Sequence, residues 1–150
     1  LCGREDLMNH CAPGGDVFFA GTYNGHPVGV AAALATIEIL ERPESYAHMF
    51  NLGDQMRAGL REIADRHGIE ATVAGFGSVF LTYFMTGPLN NYSDLLRNDV
   101  TKFVAYRRQL IERGIYMLPV NLKRNHISLA HSQADIDQTL DAAEAVLKTL

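Results

Sequence analysis

At Gly68 the spacing of apolar residues changes from a helical to a strand-like period, which restricts the chain to folds that pack helices against a sheet. Before it, Met49, Leu52, Met56, Leu60 and Ile63 recur at three- and four-residue spacing from Ser45 onward and predict an amphipathic helix ending near Gly68. After it, Glu70 to Ala74 and Ser78 to Met85 are rich in Val, Phe, Thr and Tyr, set apart by Gly75-Phe76-Gly77, and predict two strands, the second heavily buried. Thr86 to Asn98 is a long polar loop. Asp99 suits the N-cap of a helix through Arg113, with Phe103, Val104, Tyr106, Leu110 and Ile111 as its apolar side and Gly114 as its stop. Ile115 to Leu118 and His126 to Ala130 predict two short strands. Ser132 to Asp135 is a variant capping box that opens a last helix facing inward through Ile136, Leu140, Ala143 and Leu147. The order implies an α/β layered domain of α+β type, with a small mixed or antiparallel sheet covered by helices on one face.

Upstream of the switch, residues 1 to 27 have loop composition apart from a possible helical turn at Arg4 to His10. Pro27 to Leu40 is alanine-rich, which favours a helix and lets another element approach closely, so a buried or interface helix is expected until Pro43 breaks it. The loop before it, Ala20 to Pro27, combines Gly21, the Thr22 hydroxyl, Gly25 and a helix start. Those are the donors that seat a phosphate or a carboxylate, although a loop bent by glycines and led into a helix by Pro27 has the same letters.

A length of 150 residues fits one domain, and 47% hydrophobic with 20% charged residues is ordinary for a soluble globular chain. No apolar stretch is long enough to span a bilayer. A net charge of −4 argues against nucleic acid as the main partner and leaves a small molecule or a protein. Cys2 and Cys11 match neither a zinc spacing nor a redox pair and are expected as reduced thiols. The histidines are scattered, so no metal site is expected: His48 and His67 fall on a solvated helix face, and His131 reads as a structural turn residue. No GxSxG, HExxH or comparable catalytic set is present.

Several segments in register point to a family. Cys2-Gly3-Arg4-Glu5-Asp6-Leu7-Met8, Ala12-Pro13-Gly14-Gly15 and the Ala20 to Pro27 loop resemble the class III pyridoxal phosphate aminotransferases, more narrowly the glutamate-1-semialdehyde aminomutase branch. Gly75-Phe76-Gly77-Ser78-Val79-Phe80, Asn91-Tyr92-Ser93-Asp94, Arg113 to Pro119 and Ser128-Leu129-Ala130-His131 continue the likeness over essentially the whole chain. The resemblance implies the C-terminal part of a fold-type I pyridoxal phosphate enzyme. Residues 1–27 would belong to a cofactor and interface region of the large domain, and 28–150 to a linking helix and small domain. The family's lysine, which holds the cofactor as a Schiff base and shuttles protons, lies upstream of the match to Leu1-Cys2-Gly3-Arg4. Lys102, Lys123 and Lys148 do not stand in its context, so the chain alone is expected to be inactive.

The same resemblance gives Thr22, with Gly21, a contact to the cofactor phosphate across a homodimer interface. It implies amino-group transfer or exchange (transaminase or isomerase chemistry) on a small amino-acid or keto-acid substrate in the cytoplasm, with no nucleic acid or membrane partner. The chain departs from the family where His26 replaces the Asn of Gly-Asn-Pro, and where Val120 and Lys123 stand for the aminomutase branch's Ser and Glu on the substrate side. An ammonium in place of a carboxylate reverses the local charge preference, so Lys123 either attracts a substrate carboxylate or is a solvated loop lysine. The rival reading is a non-catalytic α/β interaction or dimerisation module pairing through the alanine-rich helix.

Overall fold

The structure, a computed structural model, describes residues 2–150; Leu1, the first residue of the Leu1-Cys2-Gly3-Arg4 run, lies outside the described residues. Length alone suggests one compact unit, but contacts divide the chain into two, residues 1–41 and 42–150.

The first unit holds α1 (Glu5–Met8) and α2 (Pro27–Leu40). Pro27 opens α2 at the position where a missing N–H costs nothing. The helix is apolar apart from Thr36 and Glu38, and none of its residues is buried: Val28, Val30, Leu34, Ile37 and Ile39 are exposed.

The second unit contains α3 (Pro43–Arg66), β1 (Thr72–Ala74), β2 (Val79–Tyr83), a 3-10 helix (Tyr92–Arg97), α4 (Val100–Glu112), β3 (Asn125–His126) and α5 (Gln133–Leu147). Met49, Leu52, Met56, Leu60 and Ile63 are the buried stripe of α3, as their spacing predicts. Burial of each such side chain contributes roughly 1.5–3 kcal/mol. Asp99 caps α4 by accepting from the Lys102 N–H at 2.9 Å, and Asp135 Oδ2 accepts from the Ser132 N–H at 2.7 Å in the α5 capping box.

The sheet is antiparallel in the order β1-β2-β3, with Thr72 opposite Tyr83 and Val79 opposite His126. Phe80, Leu81, Thr82 and Tyr83 are all buried, so both faces of the central strand are covered rather than one. Helix α3 packs against β1 and β2, while Phe103 of α4 stacks on Tyr83 at 6.4 Å between ring centroids. Where α3 passes the Gly75–Ser78 turn, a Cβ at Gly53 would lie 2.0 Å from Gly77 O, so only glycine fits there. Arg57 fastens the same turn, its Nη1 donating to Gly77 O and Val79 O, each at 2.7 Å.

Two expected strands differ. Ile115–Leu118 forms none, because Leu118 O is taken by the Arg107 guanidinium and by the Val120 N–H, both at 2.8 Å, instead of a ladder. The second shortens to Asn125–His126, ended by a turn in which the Ser128 N–H donates to His131 Nδ1 at 3.0 Å. His131 is thus the turn residue expected. His48 is exposed on the helix face, as expected, with Nε2 2.9 Å from His131 O, whereas His67 is half-buried with Nε2 2.6 Å from Glu144 Oε1.

Candidate functional site

The Ala20–Pro27 loop is an exposed double turn. Gly21 O accepts the Asn24 N–H at 2.9 Å, Tyr23 O accepts the His26 N–H at 3.1 Å, and Gly25 supplies the left-handed conformation at φ 69° that links the turn to α2. His26 occupies the N-cap position with its carbonyl accepting from the Val30 N–H, and its ring meets Tyr23 edge-on at 6.0 Å. Gly21, Thr22 and His26 therefore share one turn at a helix start. Among the described residues neither the Thr22 hydroxyl nor its N–H is engaged within the chain, which leaves both for an external acceptor.

Lys123 belongs to the other unit, in a loop held from several sides. The buried Arg107 side chain rises from α4, donates through Nη1 to Leu118 O at 2.8 Å and through Nη2 to Lys123 O, and lies over the Phe103 ring at 4.4 Å. Burial draws its guanidinium down to about 10, opposed by the nearby Tyr106 and Tyr83 phenols, so it remains charged at neutral pH. Asn98 accepts the Phe84 N–H and donates to Asn121 Oδ1, both at 2.8 Å. Within the loop, Leu122 sits at φ 58°, a left-handed conformation rare for a leucine.

Beside this loop lies a cavity of about 260 Å³ with Met56 and Phe80 in its apolar wall and Lys123, Arg124, His126 and His131 along its polar side. No carboxylate lines it among the described residues, although the chain carries a net negative charge. Arg124 Nε donates to His126 Nε2 at 3.2 Å. The cavity suits a small ligand with an apolar body and an anionic group.

The family model for class-III aminotransferases matches residues 1–147. The chain belongs to the class-III aminotransferases. The β-phenylalanine aminotransferase of Variovorax paradoxus is similar over 95% of this chain and 33% of its own, with 27% identity and a TM-score of 0.81. An omega-transaminase from Sphaerobacter thermophilus matches over 97% and 34%, with 25% identity and a TM-score of 0.78. A glutamate-1-semialdehyde aminomutase from Pseudomonas aeruginosa shares the fold at 23% identity and a TM-score of 0.79, over 95% and 32%. The chain spans about a third of the length of these structures.

Class-III aminotransferases use pyridoxal phosphate, and the turn can be tested for its fit to that group. An exposed threonine hydroxyl and N–H beside a helix N-terminus suit a phosphate dianion. The cofactor's carbonyl end needs an amine, and the lysines here stand in α4 (Lys102), in the cavity loop (Lys123) and at the end of α5 (Lys148), all within residues 42–150. The class-III turn thus offers partners for the phosphate end.

The supports of the Lys123 loop in this class-III chain are absent from the sequence-based candidates. Arg107 had a signal, being the one cation on a stripe whose other buried members are Phe103, Tyr106 and Leu110. Asn98 and Leu122 had none, since an amide in a polar loop and a leucine between hydrophobic runs are unexceptional letters. Among the described residues no group of three or more His, Cys, Asp or Glu could hold a metal, and no helix is long and apolar enough to cross a membrane.

Proposed function

We propose that this chain is the C-terminal portion of a pyridoxal-phosphate-dependent aminotransferase or aminomutase, working as a cytoplasmic homodimer on a small amino-acid or keto-acid substrate. The family match over residues 1–147, joined to the unengaged Thr22 donors at the start of α2, supports this reading. When bound, the cofactor supplies an electron sink for the carbon that gains or loses the amino group. The Thr22 hydroxyl and N–H hold the phosphate dianion, and Gly21 lets the backbone approach it. His26 and Lys123 lie on the substrate side, where Lys123 accepts a substrate carboxylate as counter-ion. The α2 residues Val28, Leu34 and Ile37, exposed here, are covered in the assembled dimer and hold the Thr22 turn against the neighbouring subunit's cofactor. The free Cys2 and Cys11 thiols agree with a reducing compartment.

The test is Thr22→Ala in the complete enzyme, followed by titration with pyridoxal phosphate. Loss of one hydrogen bond to a charged group weakens binding by about 1.5–3 kcal/mol, or roughly 10- to 150-fold. Unchanged affinity would remove Thr22 from the phosphate site.

A further inference from the structure

Arg107 places a buried positive charge in α4 with no carboxylate partner among the described residues. Such a charge requires compensation, and here it comes from two carbonyl oxygens and one aromatic face: Leu118 O, Lys123 O and the Phe103 ring. The two carbonyls flank the segment that contains Pro119, Val120, Asn121 and Leu122, so a single guanidinium closes the loop across its base. A planar fork reaches both oxygens at once, whereas an ammonium is a point donor.

Three further contacts share this closed form. The Val120 N–H donates to Leu118 O at 2.8 Å and the Lys123 N–H to Val120 O at 3.1 Å. Asn121 is tied to Asn98 at 2.8 Å. Leu122 is held at φ 58°, a conformation that persists in a bulky residue only where its surroundings over-determine it. Leu118, Lys123 and Arg124 all line the 260 Å³ cavity, whereas Arg107 does not.

We propose that Arg107 is a positioning residue: its bridge between Leu118 O and Lys123 O locks the loop into one strained conformation and fixes where Lys123 enters the cavity. The clamp stands on the loop geometry alone; its effect on turnover rests on the reading of Lys123 as a substrate contact.

In the complete enzyme, Arg107→Lys keeps the charge and loses the fork. The Val120 and Lys123 amides should then exchange with solvent about tenfold faster or more, while amides of the α3 core keep their protection. KM for a carboxylate-bearing substrate should rise with kcat little changed. Adding Leu122→Gly, which relieves the strain the clamp holds, should recover part of the KM loss. Unchanged exchange at Val120 and Lys123, or acceleration spread evenly through α3 and α4, would overturn the clamp, as would a KM that rises in Arg107→Lys and is not recovered at all by Leu122→Gly. Lys123→Met separates the two readings. An unchanged KM in that variant, with the loop loosened in Arg107→Lys, leaves the clamp standing and removes Lys123 from the substrate site.

Discussion

Residues 42–150 bury a core of their own, whereas residues 1–41 leave their main helix bare. In the larger unit, Phe103, Leu110, Ala143 and Val146 are completely buried and charged side chains are fastened to backbone carbonyls. In the smaller unit, an apolar helix follows a turn whose Thr22 hydroxyl and N–H are, among the described residues, unengaged within the chain. The contrast separates two uses of sequence. One region's letters are satisfied by its own fold, and the other presents an apolar helix that its own unit leaves uncovered.

The contrast is most easily broken by truncating matching apolar residues on each side. Phe103→Ala should cost about 3–5 kcal/mol in the denaturant unfolding of the 150-residue chain, because it removes a fully buried ring and leaves Arg107 without its aromatic face. Leu34→Ala in α2, where the side chain is exposed, should cost within about 0.5 kcal/mol in the same chain. Equal losses would mean that α2 is packed within the chain and that the two regions do not differ in this way.

A smaller effect sharpens the account of the larger unit. Glu144 joins the ends of α3 and α5, accepting from His67 at 2.6 Å and pairing with Lys148 at 3.3 Å and Arg66 at 3.2 Å. Those partners, His67 foremost, lower its carboxyl from 4.5 to about 2. A depressed folded-state value contributes stability above the unfolded value, so this link is intact above about pH 4.5 and is lost as pH falls through about 2. A carboxyl titration by NMR should place Glu144 well below the usual glutamate range. A midpoint at the ordinary value would show that the cluster is loose in solution.

Legibility followed the same division. The α3 stripe, the Asp99 cap and the heavily buried β2 could be read from the letters because local periodicity and capping chemistry act over a few residues. The strand expected at Ile115–Leu118 failed because a guanidinium from α4 captures Leu118 O, a contact across 11 positions that periodicity cannot register. The turn at Gly21–Thr22 and the helix start at Pro27 were legible in the letters, and a phosphate as the ligand of Thr22 is the proposal that the family likeness adds. The Arg107 clamp was hidden because its partners are carbonyl oxygens, which every residue carries.

The most direct test of the account is a hybrid of two impaired subunits of the complete enzyme, one inactive for want of the cofactor-binding lysine and the other binding the cofactor weakly because it carries Thr22→Ala. If Thr22 serves the phosphate of the neighbouring subunit, each hybrid dimer regains one site with both groups intact, and mixing restores tight pyridoxal phosphate binding and activity. If Thr22 serves its own subunit or none, mixed dimers form and no site recovers, which would contradict the account.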